Sequence, residues 1–481
     1  MQTPSPEATE KAIENEIDSA FGRLQAKSTD LRYENYRDRK GRLKILHNWV
    51  VDNRNDICQA IYSDFRKPAE EVDLTEIYAV LQEIKHASGH LKKWMKPKKV
   101  STPVTLAGSN GYIHYEPKGI CLIIAPWNYP FSLTIGPLIS ALAAGNTVIL
   151  KPSEMTPATS ALIVRLVREC FSEDIVRIFT GDKEVSTLLL QKPFNHIFFT
   201  GSPAVGKIVM TAAAKHLASV TLELGGKSPL IVDDMADLKD VAEKLAWGKY
   251  VNTGQTCIAP DYVLCHEQVK SALLVELRSA IERLFKEPGK DISESSTYAR
   301  IINQKHFDRL ESMLSESVSN GATVVSGGHT DKEKLYFAPT VLTDIPESSP
   351  LLDQEIFGPI LPVLTYSRTE EAISFVNSKP KPLAMYLFCG SRKNRKTILR
   401  QTSAGGVCIN DTLIHFNHPN LPFGGVNNSG IGKSHGHYGF LAFSNEKSIL
   451  VQRVGYTSIR LIYPPYTPRI RRLIDLLLKY L

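Results

Sequence analysis

The chain is poor in cysteine, with seven in 481 residues, and no two of them form a CxxC pair. This count excludes a small disulfide-stapled scaffold, and the missing pairs argue against a structural zinc site. We therefore expect reduced thiols and a cytosol-like, cytoplasmic compartment. The sequence also lacks a run of about 18 apolar residues, and its first residues lack the apolar core of a signal peptide, so we expect no spanning helix and no secretion signal.

A large excess of charge of one sign is missing as well. Lys and Arg together number 57 and Asp and Glu 50, which gives a net charge of +7. This mild excess does not indicate a nucleic-acid partner. More than half of it lies in the last 26 residues, where five basic residues face one acidic residue.

That tail, residues 456–481, has the pattern of a short amphipathic helix that starts at Pro468. Its apolar residues recur at helical spacing, and they are Ile470, Leu473, Ile474, Leu477, Leu478 and Leu481. The stripe is too short to span a bilayer. Two alternatives remain open: the helix docks on its own protein, across a substrate entrance, or it lies on an anionic membrane surface.

Residues 120–224 alternate between short apolar runs and amphipathic stretches, which predicts a parallel sheet with crossover helices. The strand-like runs are 120–124, 147–150, 176–180, 196–200 and 220–224. A second alternation follows residue 225, and residues 7–95 have helical spacing. Ligands of such sheets bind at the carboxyl ends of the strands.

The segment FTGSPAVGK, which begins at Phe199, places Gly201, Ser202 and Gly206 where a strand turns into a helix. Ser202 is suited to cap that helix, and the free amides at its start favour a phosphate. A Walker A loop would need a hydroxyl where the chain has Ile208. An ordinary structural turn remains an alternative.

Three further segments carry reactive groups. Glu223, in LELGGKSP, ends a strand, and it is either a desolvated base or a surface glutamate. Cys257, in NTGQTC, lies in a small polar loop of the kind that holds reactive thiols. Asn128, in APWNYPF, follows the first strand of the sheet and offers a rigid amide for an oxyanion.

Together these segments resemble the aldehyde dehydrogenase superfamily, and within it the class 3, fatty-aldehyde branch. The resemblance covers about residues 10–455. The motifs that carry it, in family order, are PWNYP, KPSEMTP, FTGSPAVG, LELGGKSP, GQTC, EIFGP and LPFGGVNNSGIG.

The resemblance implies a role for each matching residue. Cys257 is the nucleophile that forms a thiohemiacetal and then a thioester. The side chain of Asn128 and the backbone amide of Cys257 hold the oxyanion. Glu223 activates the water that hydrolyses the thioester, and Glu355 is an alternative base.

The resemblance also implies a nicotinamide cofactor, with the residues matching its contacts being Trp127, Lys151, Glu154, Gly201, Ser202, Gly206, Glu355 and Phe357. The carboxylate of Glu154 favours NAD over NADP, although NADP remains possible. Three aromatic residues, Tyr129, Trp247 and Phe416, are candidates for a substrate tunnel, or else ordinary core. Four histidines, His415, His418, His435 and His437, lie on irregular segments, and we predict no metal site.

The expected fold is α/β: a Rossmann-like dinucleotide domain, an α/β catalytic domain and a β-ribbon oligomerisation extension. The boundaries are 1–99 and 117–222 for the first, 223–414 for the second, 100–116 and 415–455 for the ribbon. The implied activity is NAD(P)-dependent oxidation of medium- or long-chain aliphatic, or aromatic, aldehydes by a homodimer. The rivals are an enzyme that passes the acyl group to coenzyme A and a non-catalytic homologue with a structural or binding role.

Overall fold

The computed structural model describes residues 6–480. A π-helical segment, Asp73–Ile77, joins two of its helices. The α-helices are α1 (Pro6–Leu31), α2 (Tyr36–Asp52), α3 (Arg54–Phe65), α4 (Ala69–Val72), α5 (Tyr78–Trp94), α6 (Ser132–Ala144), α7 (Pro157–Cys170), α8 (Lys183–Leu190), α9 (Pro203–Ala214), α10 (Leu238–Tyr250), α11 (Lys270–Phe285), α12 (Gln304–Ser319), α13 (Pro350–Asp353), α14 (Thr369–Ser378), α15 (Arg392–Gln401), α16 (Gly436–Ala442) and α17 (Pro468–Tyr480).

The strands form two large sheets, one small sheet and one short hairpin-like pair. They are β1 (Lys98–Val100), β2 (Ser109–Pro117), β3 (Ile120–Ile124), β4 (Thr147–Lys151), β5 (Val176–Ile178), β6 (His196–Gly201), β7 (Ser219–Leu224), β8 (Pro229–Val232), β9 (Tyr262–His266), β10 (Thr323–Ser326), β11 (Thr330–Asp331), β12 (Tyr336–Phe337), β13 (Thr340–Thr343), β14 (Ile360–Tyr366), β15 (Ala384–Phe388), β16 (Gly406–Ile409), β17 (Gly430–Ile431) and β18 (Ser444–Gln452).

The first large sheet has the order β17-β7-β6-β3-β4-β5, and β3 to β7 are parallel. All residues of β3 and β4 are buried, because helices cover both faces of a parallel sheet. The chain fills one side of β3 with β4 and β5 and then the other side with β6 and β7. The strand order therefore reverses beside β3, and this switch opens a crevice at the carboxyl ends of β3 and β6.

The second large sheet has the order β10-β13-β14-β9-β8-β15-β16. Its strands are parallel except β10, which runs antiparallel to β13 at the edge. Both predicted alternations of strand and helix are therefore present, and the predicted α/β fold class is confirmed.

The ribbon is narrower than the predicted 100–116 and 415–455. Its sheet has the order β1-β2-β18, with β2 and β18 paired over nine residues. Within the predicted ribbon, β17 instead joins β7 in the first sheet, and α16 packs on α5 and α6. The reason is packing: Gly430, at a φ of +150°, brings the backbone against β7, and Phe440 and Phe443 are fully buried in the body.

The tail helix α17 begins at Pro468, as predicted, and its apolar stripe is not buried against the body of the single chain; docking on the dimer stays a prediction. Leu473 is only half-buried and Leu477 is 38% exposed. The helix lies against a one-turn segment, Ser458–Ile462, which is too short to cover its apolar stripe. Leu481 lies outside the described residues. Among residues 6–480, no helix has the length and apolar character needed to cross a bilayer.

Candidate active site

One cavity lies between α5, α6, the ends of β6 and β7, and the segment 416–435. It encloses about 1040 Å³ of space, including the part open to solvent. Glu223 and Cys257 both line it, although Glu223 lies in β7 of the first sheet and Cys257 lies in the loop before β9. Its other walls are mostly apolar, and the apolar residues include Val80, Leu133, Pro137, Phe198, Phe416 and Phe423.

The loop that carries Cys257 is held in a fixed conformation. Asn252 and Thr253 before it both adopt left-handed backbone angles, with φ of 51° and 54°, and both are buried. The side chain of Gln255 spans the loop: its Nε2 donates to the carbonyl of Arg300 at 3.0 Å, and its Oε1 accepts from the amide of Ile302 at 3.0 Å. Strain of this kind persists only where the surroundings enforce it, and it marks functional loops.

Burial, with smaller contributions from the carboxyls of Glu355 and Glu223, which disfavour a nearby thiolate, raises the pKa of the Cys257 thiol to about 12. The resting thiol is therefore protonated near neutral pH. A nucleophilic thiolate then requires a base close to the sulfur. The two carboxyls that perturb this pKa are the groups present to take that proton.

Asn128 reaches the cysteine loop from the end of β3. Its buried Nδ2 donates to the carbonyl of Gln255 at 3.0 Å. The hydroxyl of Tyr129 lies 2.7 Å from Oγ1 of Thr256, the neighbour of Cys257. An amide nitrogen carries two hydrogens, so one N–H of Asn128 remains for an oxyanion.

A buried ion pair packs against the loop that carries Asn128, and the sequence did not predict it. Nζ of Lys67 donates to Oε1 of Glu76 at 3.0 Å and lies 4.0 Å from the centre of the Tyr129 ring. Oε2 of Glu76 accepts from the amides of Phe131 and Ser132, at the start of α6. Glu76 lies in the π-helical segment, a feature often found at functional sites. The pair anchors the loop that carries Asn128.

Glu223, at the end of β7, is only 6% exposed. Its Oε1 accepts from the hydroxyl of Ser434 at 2.7 Å, whereas its buried Oε2 has no hydrogen-bond partner. Burial raises the pKa of this carboxyl to about 8, against smaller lowering effects of Ser434 and Lys433. The surface-glutamate alternative is therefore wrong, because β17 covers the edge of β7.

Glu355 is the second carboxyl that influences the Cys257 thiol. A second buried pair, Lys227 with Asp261, fixes its backbone: Lys227 donates to the carbonyl of Gln354 at 2.9 Å, and Asp261 accepts from the amide of Ile356 at 2.8 Å. Burial raises the pKa of Glu355 to about 8. Its carboxyl packs on Gly225, where an added Cβ would lie 2.1 Å from Oε2.

Comparison with known proteins explains this arrangement. The family model described as the aldehyde dehydrogenase family matches residues 5–449. The chain belongs to the aldehyde dehydrogenase family. The predicted enzyme class and the nicotinamide cofactor class are thereby confirmed, and the presence of both Cys257 and Glu223 in one cavity gives the non-catalytic rival no support.

Individual relatives are similar over most of their length. A 4,4'-diaponeurosporen-aldehyde dehydrogenase of Staphylococcus aureus is 45% identical over 89% of this chain and 92% of its own. Aldehyde dehydrogenase family 3 member B1 of Bos taurus is 44% identical over 90% and 91%. A solved structure, the substrate-bound state of Staphylococcus aureus AldH, superposes with a TM-score of 0.91 at 42% identity, covering 96% of this chain and 99% of that one.

The crevice of this aldehyde dehydrogenase fits a dinucleotide. Lys151 ends β4, and its Nζ pairs with Oε2 of Glu154 at 2.7 Å. Ser202 caps α9 by accepting from the amide of Val205, and the helix starts at the crevice. Gly206 is needed for close packing, since an added Cβ would lie 2.7 Å from Leu224. These features fit the phosphate and ribose contacts expected from the resemblance, and the role of each residue stays a prediction.

The side chains of two residues predicted to bind the cofactor contact each other. The rings of Trp127 and Phe357 lie edge to face with centroids 5.3 Å apart. Phe357 has a φ of 49°, a strained angle for a bulky residue. An apolar wall formed in this way suits a flat aromatic ring such as nicotinamide.

The three aromatic residues that are candidates for a substrate tunnel lie in different environments in the structure. Phe416 lines the cavity. Tyr129 is not among the lining residues, and its hydroxyl forms a hydrogen bond with Oγ1 of Thr256. Trp247 is 38% exposed on α10 and is not among the residues that line the cavity, because the neighbours Leu245 and Ala246 occupy the buried face of that helix. Within residues 6–480, no group of His, Cys, Asp and Glu has the arrangement of a metal site.

Proposed function

We propose that this enzyme oxidises medium- or long-chain aliphatic, or aromatic, aldehydes to carboxylic acids. The observation that carries the proposal is the placement of Cys257 and Glu223 in one cavity with mostly apolar walls. Apolar walls favour apolar substrates, because desolvating a hydrocarbon chain stabilises its complex. The name of the Staphylococcus aureus relative, which refers to diaponeurosporen-aldehyde, supports this class.

In the proposed mechanism, Cys257 gives its proton to a neighbouring carboxyl and attacks the aldehyde carbon. The second N–H of Asn128 and the amide of Cys257 stabilise the alkoxide that forms. NAD, when bound, supplies the oxidation by accepting hydride from that carbon. Glu223 then takes a proton from the water that hydrolyses the thioester, and it is better placed than Glu355 because it lines the cavity.

We assign NAD as the preferred cofactor. The carboxyl of Glu154, 44% exposed, is free to accept the two ribose hydroxyls, and it would repel a 2′-phosphate. Lys151 is already paired with Glu154, so its charge is offset. NADP is expected to bind more weakly and to support slower turnover at equal concentration.

The ribbon supports the proposed homodimer. β18 has no hydrogen-bonded neighbour beyond β2 among residues 6–480, and its side chains include Leu450, 56% exposed, and Val451, 48% exposed. An uncovered edge strand of nine residues that is apolar over residues 449–451 favours pairing with a second chain. Sedimentation equilibrium checks this: wild type should be a dimer, and Leu450→Lys with Val451→Lys should weaken it.

We further propose a cytoplasmic enzyme whose tail contacts an anionic membrane surface. Arg469, Arg471 and Arg472 lie beside the half-buried residues Ile470 and Leu473, and each basic residue adds about 1 kcal/mol near such a surface. Sedimentation with anionic liposomes tests this. The full chain should co-sediment more than a chain ending at Tyr463, and equal sedimentation would contradict it. If α17 borders the substrate entrance of the dimer, truncation should also weaken the preference for long aldehydes.

The test of the main proposal is an aldehyde series of increasing chain length, plus benzaldehyde, assayed with NAD and with NADP. We expect kcat/KM to rise with chain length, the acid as product, and no acyl-coenzyme A when coenzyme A is added. Cys257→Ala should lose activity by more than about 10³-fold. Cys58→Ala, a half-buried thiol on α3, is the matched control and should keep it. Turnover by Cys257→Ala above a tenth of wild type would overturn the mechanism.

A further inference from the structure

Two residues that follow β17 extend the site beyond the groups described so far. Ser434 is 7% exposed, and its Oγ lies 2.7 Å from Oε1 of Glu223 and 3.0 Å from Nδ1 of His435. A weaker contact of 3.4 Å joins the same hydroxyl to the carbonyl of Phe423. A continuous hydrogen-bonded chain therefore leads from the carboxyl in the cavity, through one hydroxyl, to an imidazole.

The surroundings of His435 are apolar. Its ring lies 4.6 Å from the ring of Phe416 and 5.1 Å from that of Phe423, measured between centroids. Burial lowers the pKa of His435 to about 4, so the imidazole is neutral near pH 7. A neutral imidazole carries a hydrogen on one nitrogen and accepts at the other, which is what a relay needs.

The titratable neighbours are few. On the Glu223 side they are Lys433, which lowers the pKa of Glu223, and the thiol of Cys257. On the His435 side they are Glu83, which accepts from the amide of Gly436 at 2.8 Å, and His86, whose ring lies beside Gly436. No ion pair with Glu223 or His435 is present in the described part of the chain, so the chain of bonds is not diverted through a salt bridge.

The hydroxyl of Ser434 suits both protonation states of Glu223. When Glu223 is ionised, Ser434 donates to it and accepts from an N–H at Nδ1 of His435. When Glu223 is protonated, the directions reverse, so that Ser434 accepts from the carboxyl and donates to Nδ1. A hydroxyl is both donor and acceptor, so it serves both patterns; the switch needs a rotation of the hydroxyl and a change of the His435 tautomer from Nδ1–H to Nε2–H by exchange with solvent.

We propose that Ser434 and His435 form a proton relay that removes the proton Glu223 takes from water during thioester hydrolysis. The proposal rests on the role of Glu223 in the proposed function. The water oxygen bonds to the acyl carbon, one water proton passes to Glu223, and the C–S bond breaks with its electron pair on sulfur. The second water proton returns to that sulfur from the product acid.

The relay then restores Glu223 as a base. A half-turn of the carboxyl brings its proton to Ser434, whose own hydrogen moves to Nδ1 of His435, and His435 releases its Nε2 hydrogen to solvent. One proton leaves and none is created or lost. Ser434 and His435 also line the cavity, but in this scheme they form no bond with the reacting atoms, so they act through Glu223 as positioning residues.

The experiment follows the acyl-enzyme directly. Enzyme is mixed with NAD and decanal, the NADH burst is recorded, and the decay of the acyl adduct on Cys257 is measured by quenching and mass spectrometry from pH 6 to 10. Ser434→Ala and His435→Gln should keep a burst of about one NADH per site and slow the decay at least tenfold. Ser444→Ala, another buried serine, and His437→Gln are the matched controls, and their decay should equal wild type.

Four readouts separate a relay from a merely structural role. Ser434→Thr retains the hydroxyl and should recover decay to within about threefold of wild type. The double variant should decay no more slowly than the slower single variant, because the two groups act in series. Added imidazole should speed the decay of His435→Gln but not that of Ser434→Ala, and Ser434→Ala should shift the pH profile upward.

Each contrary result has a distinct meaning. A normal decay in Ser434→Ala, or a slow decay in Ser434→Ala with a normal one in His435→Gln, would overturn the relay. Multiplied effects in the double variant would overturn it too. A missing NADH burst in wild type would instead defeat the proposed function itself. If Ser434→Ala fails to bind NAD, the comparison rests on Ser434→Thr and His435→Gln, whose decay alone then decides.

Discussion

Two carboxyls lie near enough to Cys257 to raise the pKa of its thiol, and they differ in how the protein holds them. Glu223 ends a strand of the first sheet, lines the cavity and keeps one oxygen without a partner. Glu355 lies on a loop whose flanking backbone is clamped by Lys227 and Asp261, and its carboxyl packs on Gly225. Burial raises the pKa of each to about 8. Equal basicity therefore does not distinguish the two carboxyls, and access to the cavity is the observation that favours Glu223 as the proposed base.

The largest expected difference comes from Glu223→Gln. An amide has no basic lone pair for water, so hydrolysis should slow by about 10²–10⁴-fold while the NADH burst remains. Mass spectrometry should show the acyl adduct accumulating on Cys257. Unchanged turnover in this variant would transfer the role of base to Glu355.

The pH dependence is the next largest effect. A carboxyl with its pKa raised to about 8 is mostly neutral at pH 7, so the basic form increases as pH rises. Acyl-enzyme decay should rise about tenfold per unit below pH 8 and level off above it. Glu355→Gln should keep this profile. A profile that Glu223→Gln does not flatten would contradict the assignment.

A smaller effect is expected for Glu355→Gln itself. The clamped carboxyl belongs to the expected nicotinamide side of the site, so the variant should raise KM for NAD by about tenfold and change acyl-enzyme decay by less than about threefold. Titration of cofactor binding by fluorescence and single-turnover decay give the two numbers. A larger fold-change in the rate of acyl-enzyme decay than in cofactor affinity would favour Glu355 over Glu223 as the base.

The smallest effect tests the packing of Glu355. Gly225→Ala places a Cβ against its carboxyl and should raise KM for NAD a few-fold, with Glu223-dependent decay unchanged. Gly89→Ala on α5 is the control, since an added Cβ there meets nothing within 4 Å. It should leave KM unchanged and stabilise the helix by up to about 1 kcal/mol. Equal KM values for the two variants would show that Glu355 moves freely.

The sequence predicts the local parts of this molecule well. Strand β3 has the predicted bounds, and helix α6 ends at Gly145, which has a φ of 89°. Cys257 and Glu223 lie in one cavity, which was implicit in the family resemblance. These features depend on periodicity, turn chemistry and contiguous motifs, all of which are visible along the chain.

Long-range partners are not visible in this way. Ser434 lies 211 residues from Glu223, and no spacing rule connects them. Lys67 and Glu76 are charged residues in a helical region, and their burial depends on the loop that packs over them. Trp247 is 38% exposed and does not line the cavity, and its place in a substrate tunnel stays a prediction. The burial of Phe440 and Phe443 in the body also depends on long-range packing, and the domain boundaries stay a prediction.

The pairing of β2 with β18 sets the order in which the chain can be completed during synthesis. Residues 109–117 must wait for residues 444–452, and β7 receives its last neighbour only when β17 has been made. More than 300 residues therefore leave the ribosome between β2 and its partner β18, and about 200 leave it between β7 and the strand β17 that covers Glu223. N-terminal domains usually fold first during synthesis. Here the ribbon strands β2 and β18 lie on either side of the predicted catalytic segment, residues 223–414, so they cannot pair until that segment has been made. The nascent chain accordingly exposes an open sheet edge for most of its elongation, which is the period when a chaperone has something to bind.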